Sequence, residues 1–144
     1  MMSGMGEPKP PLTAELIWSG DLRFGATSGP AAIVIDGDGS AGPSPLQLAA
    51  FGLSGCMAAD VVAILQKGRH PIEALRVSFA GERAPMPPRR FVRITLHFRV
   101  SGRVPPEAVE RAIALSRETY CSVWHSMRPD ITLHTSFEIR QAEP

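Results

Sequence analysis

The spacing of hydrophobic and polar residues changes along the chain and divides it into strand-like and helix-like segments. Near the N-terminus, short apolar runs are separated by glycine-rich turns, which is typical of strands joined in hairpins. Farther along, apolar and polar residues alternate, which predicts two antiparallel strands and a closing strand. The predicted strands cover residues 16–18, 22–24, 31–35, 75–83, 91–100 and 131–140.

A long apolar segment follows the first predicted hairpins. Ser44 with Pro45 directly after it is a strong start signal, and the helix is predicted to run to about residues 67–68. Its centre is apolar on almost every face, so it must be covered on all sides. The stretch without charge or amide, residues 48–59, is shorter than the ~20 residues of a membrane span, which favours a buried core helix. A chain this small rarely covers one helix all round, so we expect a second subunit to cover part of it.

A second helix is predicted to begin at residues 105–107, where two prolines precede a glutamate. Its apolar positions share one face, and the helix is predicted to place Cys121 at its C-terminal end. Residues 122–127 are expected to form a further short turn, which Pro129 ends.

Small residues share one face of the first helix. Ala49, Gly52, Cys56 and Ala59 recur at spacings of three and four, so they point in one direction. Gly52 and Gly55 each cost roughly 1 kcal/mol of helix propensity relative to alanine. Close packing of another helix or access to Cys56 would explain these glycines, and so would a simple fit to the core.

The bulk composition is that of an ordinary globular chain, with 144 residues, 44% hydrophobic residues, 20% charged residues and a net charge of +1. The length predicts one domain, which we place at residues 14–144 behind a flexible tail at residues 1–13. The near-neutral charge gives no electrostatic argument for binding nucleic acid or an anionic membrane. No secretory signal is visible, so we expect a cytoplasmic protein.

The chain has only two cysteines, Cys56 in the first predicted helix and Cys121 at the end of the second. They form no CxxC motif, which argues against a thioredoxin motif and a zinc knuckle. In the reducing cytosol a disulfide is more often transient than structural. A nucleophilic thiol that a second thiol converts to a disulfide would be a redox centre. The alternative is two buried structural thiols.

A further set of short motifs runs through the chain. They stand at residues 42–45 (GPSP), 55–62 (GCMAADVV), 64–69 (ILQKGR), 82–83 (ER), 96–98 (LHF), 101–103 (SGR) and 120–123 (YCSV). In their order and separation they resemble the OsmC/Ohr superfamily of thiol-dependent peroxidases, and they look most like its YhfA-like branch. The resemblance covers nearly the whole chain, from about residue 16 to residue 139.

This resemblance implies an α+β, OsmC-like fold, with antiparallel sheets wrapped around long central helices in an intertwined homodimer. The site would lie at the subunit interface. Cys56 matches the family's peroxidatic cysteine and Cys121 its resolving cysteine. The implied activity is the reduction of organic hydroperoxides, an antioxidant role in oxidative stress. An external thiol would serve as reductant, and no metal or organic cofactor is needed.

The chain departs from the peroxidase pattern at the start of the first helix. Peroxidase members activate the reactive thiol with an Arg and with a Glu that follows the proline, whereas this chain has Leu46 and Gln47 there. The candidates for thiolate activation are Arg23 in the first hairpin, Gln47 itself and Asp60, one helical turn after Cys56. Asp60 could orient a cation or form a structural pair, and its negative charge alone would disfavour the thiolate.

A thiol in the middle of an apolar helix does not have the help of a helix N-terminus, and burial raises its pKa. We therefore expect a cation to be supplied from elsewhere in the chain. The candidates are Arg23, Arg83, Arg103 and a histidine.

Other chemistries are weaker alternatives. Cys121 and His125, four residues apart, could point at one metal ion, but no second ligand pair has such spacing. Arginines at residues 83–93 surround a proline-rich hairpin, which is better interpreted as a solvated loop or the rim of a site than as a grip on nucleic acid. The main alternative to an enzyme is a non-catalytic protein that binds a small apolar molecule, or a redox sensor that forms the same disulfide without rapid turnover.

Overall fold

The computed structural model describes residues 6–141, and the predicted flexible tail therefore lies partly outside the described residues. The strands are β1 (Glu15–Gly20), β2 (Arg23–Ser28), β3 (Ala31–Asp36), β4 (Ile72–Arg83), β5 (Phe91–Gly102) and β6 (Thr132–Arg140). The helices are α1 (Pro45–Lys67), α2 (Pro106–Leu115) and α3 (Ser122–His125), with a π-helical turn, here called the π-turn, at Ser116–Tyr120. Each predicted strand is confirmed, and the fold is mixed α+β.

The chain forms two compact units, one up to Leu48 and one from Ala49 onwards. In the first, β1, β2 and β3 form an antiparallel sheet in that order. Large apolar side chains on this sheet are exposed, among them Ile17 and Trp18 at 68% and 67%. Exposed apolar side chains on a sheet are typical of a surface that binds another part of a protein or a partner.

The loop between β3 and α1 is organised by one buried carboxylate. Asp36 accepts hydrogen bonds from the backbone N–H groups of Asp38 and Ala41 and from the Ser40 hydroxyl, at 2.9–3.0 Å. The two backbone donors, with the Ser40 hydroxyl, hold the pKa of Asp36 below its usual value. This network fixes the path of the chain into α1.

A capping box begins α1 where the sequence predicts it. The backbone N–H of Gln47 donates to the Ser44 hydroxyl at 3.1 Å, and the N–H of Ser44 donates to Gln47 Oε1 at 2.9 Å. Each of the two residues thereby accepts a hydrogen bond from the backbone N–H of the other, so two N–H groups that the helix itself cannot pair have partners. The predicted bounds of this helix are confirmed at both ends.

In the second unit, β4, β5 and β6 form a three-stranded sheet in that order. β4 and β5 pair antiparallel, but β5 and β6 pair parallel, with Arg93 opposite Thr132 and Ser101 opposite Arg140. The expectation of antiparallel sheets is therefore wrong for this pair. A parallel pair needs a long crossover, and the segment containing α2, the π-turn and α3 provides it.

Only a narrow stripe of α1 is fully buried, namely every fourth residue at Leu53, Met57, Val61 and Leu65. The core of the second unit also includes Leu96 and Phe98 of β5 and Val109 of α2. Other apolar side chains of α1 remain accessible, and Phe51 is 63% exposed. The chain by itself thus covers one side of a helix that is apolar nearly all round.

By length and composition, α1 is apolar enough to cross a membrane. A window within it has a mean hydropathy of 2.0, and 22% of that window is buried in the chain. The core helix of a soluble protein can have the same length and hydropathy, because a core helix and a membrane span both lie away from water. The second subunit predicted from the apolar sequence of α1 would cover this accessible surface.

Candidate dithiol site

Cys56 lies in the middle of α1, on a part of the helix surface that is only half-buried. Its side-chain hydrogen-bond partners are Cys121 and Ser122, at the start of α3. The Cys56 Sγ is 3.9 Å from the Ser122 hydroxyl. One turn earlier on α1, a Cβ at Gly52 would lie 4.0 Å from the Val123 side chain, which is ordinary van der Waals contact. Small residues therefore line the part of α1 that faces α3.

Cys121 does not lie in the second helix as predicted. That helix ends at Leu115, and the π-turn separates it from Cys121, whose backbone is extended. The Cys121 N–H donates to the Ser116 carbonyl at 2.8 Å, closing a wider ring than an α-helix forms. Its Sγ in turn accepts a hydrogen bond from the Trp124 N–H at 3.4 Å and so caps α3.

The two thiols have opposite electrostatic surroundings. Partial burial works to raise the pKa of Cys56, but the backbone N–H of Val123, the Cys121 thiol and the N–H and hydroxyl of Ser122 outweigh it, so this pKa lies below its usual value. Burial raises the pKa of Cys121 to about 11, with a smaller contribution from Cys56 and partial opposition from the Trp124 N–H. Cys56 is therefore the thiol that ionises first, and Cys121 stays protonated beside it.

The amides that favour the Cys56 thiolate belong to the first residues of α3. Cys56 lies far from the N-terminus of its own helix, as expected, and it is the backbone N–H groups of Ser122 and Val123 in another segment that lower its pKa. Sequence reasoning missed Ser122 and Val123 as contributors. A four-residue helix carries too little periodicity to be recognised from sequence.

The hydrogen-bond partner of Asp60 is a serine hydroxyl, and within residues 6–141 Asp60 forms no ion pair with a cationic side chain. The Ser116 hydroxyl, which is fully buried, donates to Asp60 Oδ2 at 2.7 Å. Ser116 also accepts the hydrogen bond from the Cys121 N–H, so Asp60 connects α1 to the segment that carries the second thiol. Because Asp60 follows Cys56 by one helical turn, both connections lie along the same side of α1.

Among the other candidates for thiolate activation, Arg23, Gln47 and Arg83 form hydrogen bonds with residues that are close to them in the sequence. Arg23 pairs with Asp21 at 2.8 Å on the exposed surface, and the Gln47 side chain is engaged in the capping box. The Nε of Arg83 donates to the Arg89 carbonyl at 2.8 Å. The groups that lower the pKa of Cys56 are thus hydrogen-bond donors of the second unit.

Cys121 and His125 do not form a pair of metal ligands, although their spacing would allow it. His125 Nε2 is 2.9 Å from the Arg117 carbonyl oxygen, while the Cys121 sulfur accepts from Trp124. Within residues 6–141, no group of three or more His, Cys, Asp and Glu side chains is placed to hold a metal ion.

A cavity of about 740 Å³ opens in the second unit between α1 and α2. Asp60 and Ile64 line it from α1, Arg111 from α2, and Tyr120 from the π-turn. The cavity therefore begins one helical turn from Cys56. Its size and its mixture of apolar and charged side chains fit a small organic molecule.

The fold and the two adjacent thiols define a class, a small α+β protein with a dithiol site. A family model described as OsmC-like protein matches residues 37–136. The chain is also 38% identical over 131 residues to Protein YhfA of Escherichia coli K12, covering 89% of this chain and 98% of YhfA. The chain therefore belongs to the OsmC superfamily and is similar to its YhfA-like members.

Solved structures support the same assignment of fold. A hypothetical protein from Aquifex aeolicus VF5 superposes with a TM-score of 0.87 at 27% identity, covering 94% of this chain and 100% of that protein. An organic hydroperoxide resistance protein, OsmC, from Legionella pneumophila superposes with a TM-score of 0.67 at 16% identity, covering 92% and 99%. At 16% identity the likeness to the Legionella protein concerns the fold.

Proposed function

We propose that this protein is a cytoplasmic thiol-dependent peroxidase that reduces organic hydroperoxides, with Cys56 as the attacking thiolate and Cys121 as the resolving thiol. The observation that carries the proposal is the asymmetry of the pair, a lowered pKa at Cys56 beside a pKa of about 11 at Cys121. A peroxidatic thiol must be ionised to attack, whereas a resolving thiol need not compete with it. The name of the Legionella relative, an organic hydroperoxide resistance protein, supports the substrate class.

The reaction would proceed in three steps. The Cys56 thiolate attacks one oxygen of the O–O bond, forming an S–O bond, and the alkoxide takes up a proton and leaves as the alcohol. The Cys121 sulfur then attacks the Cys56 sulfenic acid, a disulfide forms, and the hydroxyl leaves as water after the Cys121 proton is transferred. Two equivalents of an external thiol restore the dithiol and are themselves oxidised to a disulfide.

We further propose that the active form is a homodimer. The apolar face of α1 and the exposed side chains of the N-terminal sheet, such as Trp18 and Phe51, would lose their contact with water on association. A partner over α1 would also exclude water around Cys56, which strengthens the hydrogen bonds to the thiolate. No cofactor is required, because the two thiols carry both electrons.

The proposal is tested by mixing the reduced protein with one equivalent of cumene hydroperoxide and following thiol loss and intact mass. We expect fast loss of both thiols and of two hydrogen atoms in mass. Cys56→Ser should abolish the reaction, whereas Cys121→Ser should stop it at the Cys56 sulfenic acid, which a dimedone adduct detects. Thiols that stay reduced in excess peroxide would contradict the proposal.

One observation favours a second candidate, a non-catalytic protein that binds a small apolar molecule. The cavity of about 740 Å³ has Ala63, Ile64 and Leu115 among its lining residues and is large enough for such a ligand. A binding protein would retain ligand when Cys56 and Cys121 are both replaced by serine, and its thiols would not respond to peroxide. A redox sensor would instead form the disulfide once and turn over slowly in the presence of a dithiol reductant.

A further inference from the structure

Three arginines, one from each strand, line a cavity on the second sheet. Arg76 of β4 lies directly opposite Arg99 of β5, and Ser101 of β5 lies directly opposite Arg140 of β6. These four side chains line a surface cavity of about 490 Å³. Because alternate residues of a strand share a face, Arg99 and Ser101 point to the same side of the sheet.

One carboxylate orients two of these arginines. Glu138, directly opposite Arg99, accepts a hydrogen bond from the Nε of Arg99 at 3.1 Å and one from the Nε of Arg140 at 3.4 Å. In both arginines the donor to Glu138 is the Nε–H group of the guanidinium. The terminal Nη groups of these side chains are left as donors, and the two guanidinium groups share a carboxylate that His97 Nε2 also contacts at 3.1 Å.

The third arginine faces a like charge. Within residues 6–141, Arg76 has no described hydrogen bond or ion pair, and its direct cross-strand neighbour is Arg99. Like charges directly opposite each other destabilise an antiparallel pair. An anion between the two guanidinium groups would turn this repulsion into two attractions.

We propose that this cavity binds a phosphoryl anion, either inorganic phosphate or a small phosphate monoester. Arg76, Arg99 and Arg140 supply the guanidinium donors and Ser101 supplies a hydroxyl. Guanidinium forks match the geometry of phosphate oxygens and bind them bidentately. Glu73 also lines the cavity and limits its positive charge, which favours a single phosphoryl group over a polyanion.

The first test measures phosphate binding by isothermal titration calorimetry at constant ionic strength, with chloride replaced by phosphate. We expect saturable binding that Arg76→Gln weakens about tenfold or more, the size of losing hydrogen bonds to a charged group. Arg93→Gln is the matched control, because Arg93 lies on the same face of β5 but pairs with Glu82 at 3.5 Å. Equal affinity in both variants, or no saturable binding to the unmodified protein, would overturn the proposal.

The second test distinguishes an oriented site from a diffusely positive surface by the sign of one effect. Glu138→Gln adds one positive charge, so it strengthens phosphate binding if general attraction dominates. If Glu138 orients Arg99 and Arg140, the same variant weakens binding, because one amide oxygen cannot hold both Nε groups. Stronger binding in Glu138→Gln would sink the idea of a built site.

Glycerol 2-phosphate titrated in parallel separates the two sources of the phosphoryl group. Tighter binding of the ester identifies a phosphate monoester as the preferred ligand, and tighter binding of phosphate identifies the free ion. The outcome is independent of the peroxide reaction, since none of these variants changes Cys56 or Cys121.

Discussion

At the scale of single residues, the site depends on which groups surround each sulfur. Cys56 is half-buried beside several donors that outweigh its burial, whereas Cys121 is fully buried and its burial outweighs the backbone N–H groups of Trp124 and Val123. This difference in surroundings gives two identical side chains different acidities. The pKa of Cys56 is thereby lowered by hydrogen-bond donors, while Gln47 is engaged in the capping box of α1.

The pH dependence of Cys56 alkylation tests this account. The thiolate is the reactive form, so the rate with iodoacetamide should rise with pH about a midpoint below the usual thiol pKa of 9.0. Ser122→Ala removes one hydroxyl donor and should move the midpoint upwards. Ser126→Ala, in which the lost hydroxyl bonds only the Ser122 carbonyl, serves as the control. A midpoint unchanged by Ser122→Ala would show that the hydroxyl contributes nothing to the acidity.

The hydrogen bond between Asp60 and Ser116 is expected to stabilise the fold. Asp60→Ala leaves the fully buried Ser116 hydroxyl without its acceptor, which should lower the free energy of unfolding by about 1–3 kcal/mol. Asp60→Asn retains an acceptor oxygen and should cost less. Urea unfolding of these variants and of the double variant with Ser116→Ala gives the coupling between the two side chains. Additive losses would contradict the direct interaction.

At the scale of elements, two short segments determine the surroundings of Cys56, although Cys56 itself lies on the long helix α1. The four-residue α3 supplies the amides at Cys56, and the π-turn before it sets the position of Cys121. α1 contributes a rigid support that carries Cys56 and Asp60 on one side. The capping box fixes where α1 begins.

Loss of the α1 cap should be measurable in equilibrium unfolding. Ser44→Ala removes the acceptor for the Gln47 N–H and should reduce the free energy of unfolding by about 1 kcal/mol. Ser78→Ala, an exposed strand position with no described side-chain hydrogen bond, is the matched control. Equal stability of the two variants would show that the cap contributes little.

At the scale of the whole molecule, several large apolar side chains are exposed to water. The exposed positions include Trp18 on β1 and Phe51 on α1. Exposed apolar side chains grouped on one element are typical of surfaces that bind a partner. The proposed homodimer would account for it.

The dimer is tested by sedimentation at decreasing protein concentration. We expect Phe51→Glu to shift dissociation to at least about tenfold higher concentration, because it places a charge in the apolar interface. Gln66→Glu adds the same charge at an exposed position near the end of α1 and should leave the association unchanged. An unmodified protein that is a stable monomer throughout would contradict both the dimer and a site at its interface.

The sequence by itself determined the elements whose signals are local. Alternating apolar and polar residues located the strands, and Ser44 followed by Pro45 located the start of α1 to the residue. Its motifs also pointed to the superfamily and to both cysteines. These features depend on neighbouring residues, so their spacing is sufficient to predict them.

Only the tertiary structure decided how distant residues meet. The parallel pairing of β5 with β6 follows from the crossover and not from the alternation, which is the same in either direction. Cys56 meets Ser122 across 66 positions of sequence and Asp60 meets Ser116 across 56. The lowered pKa of Cys56 depends on such contacts, because hydrogen bonds and burial act through space, and no local pattern in the sequence records which donors will surround a thiol.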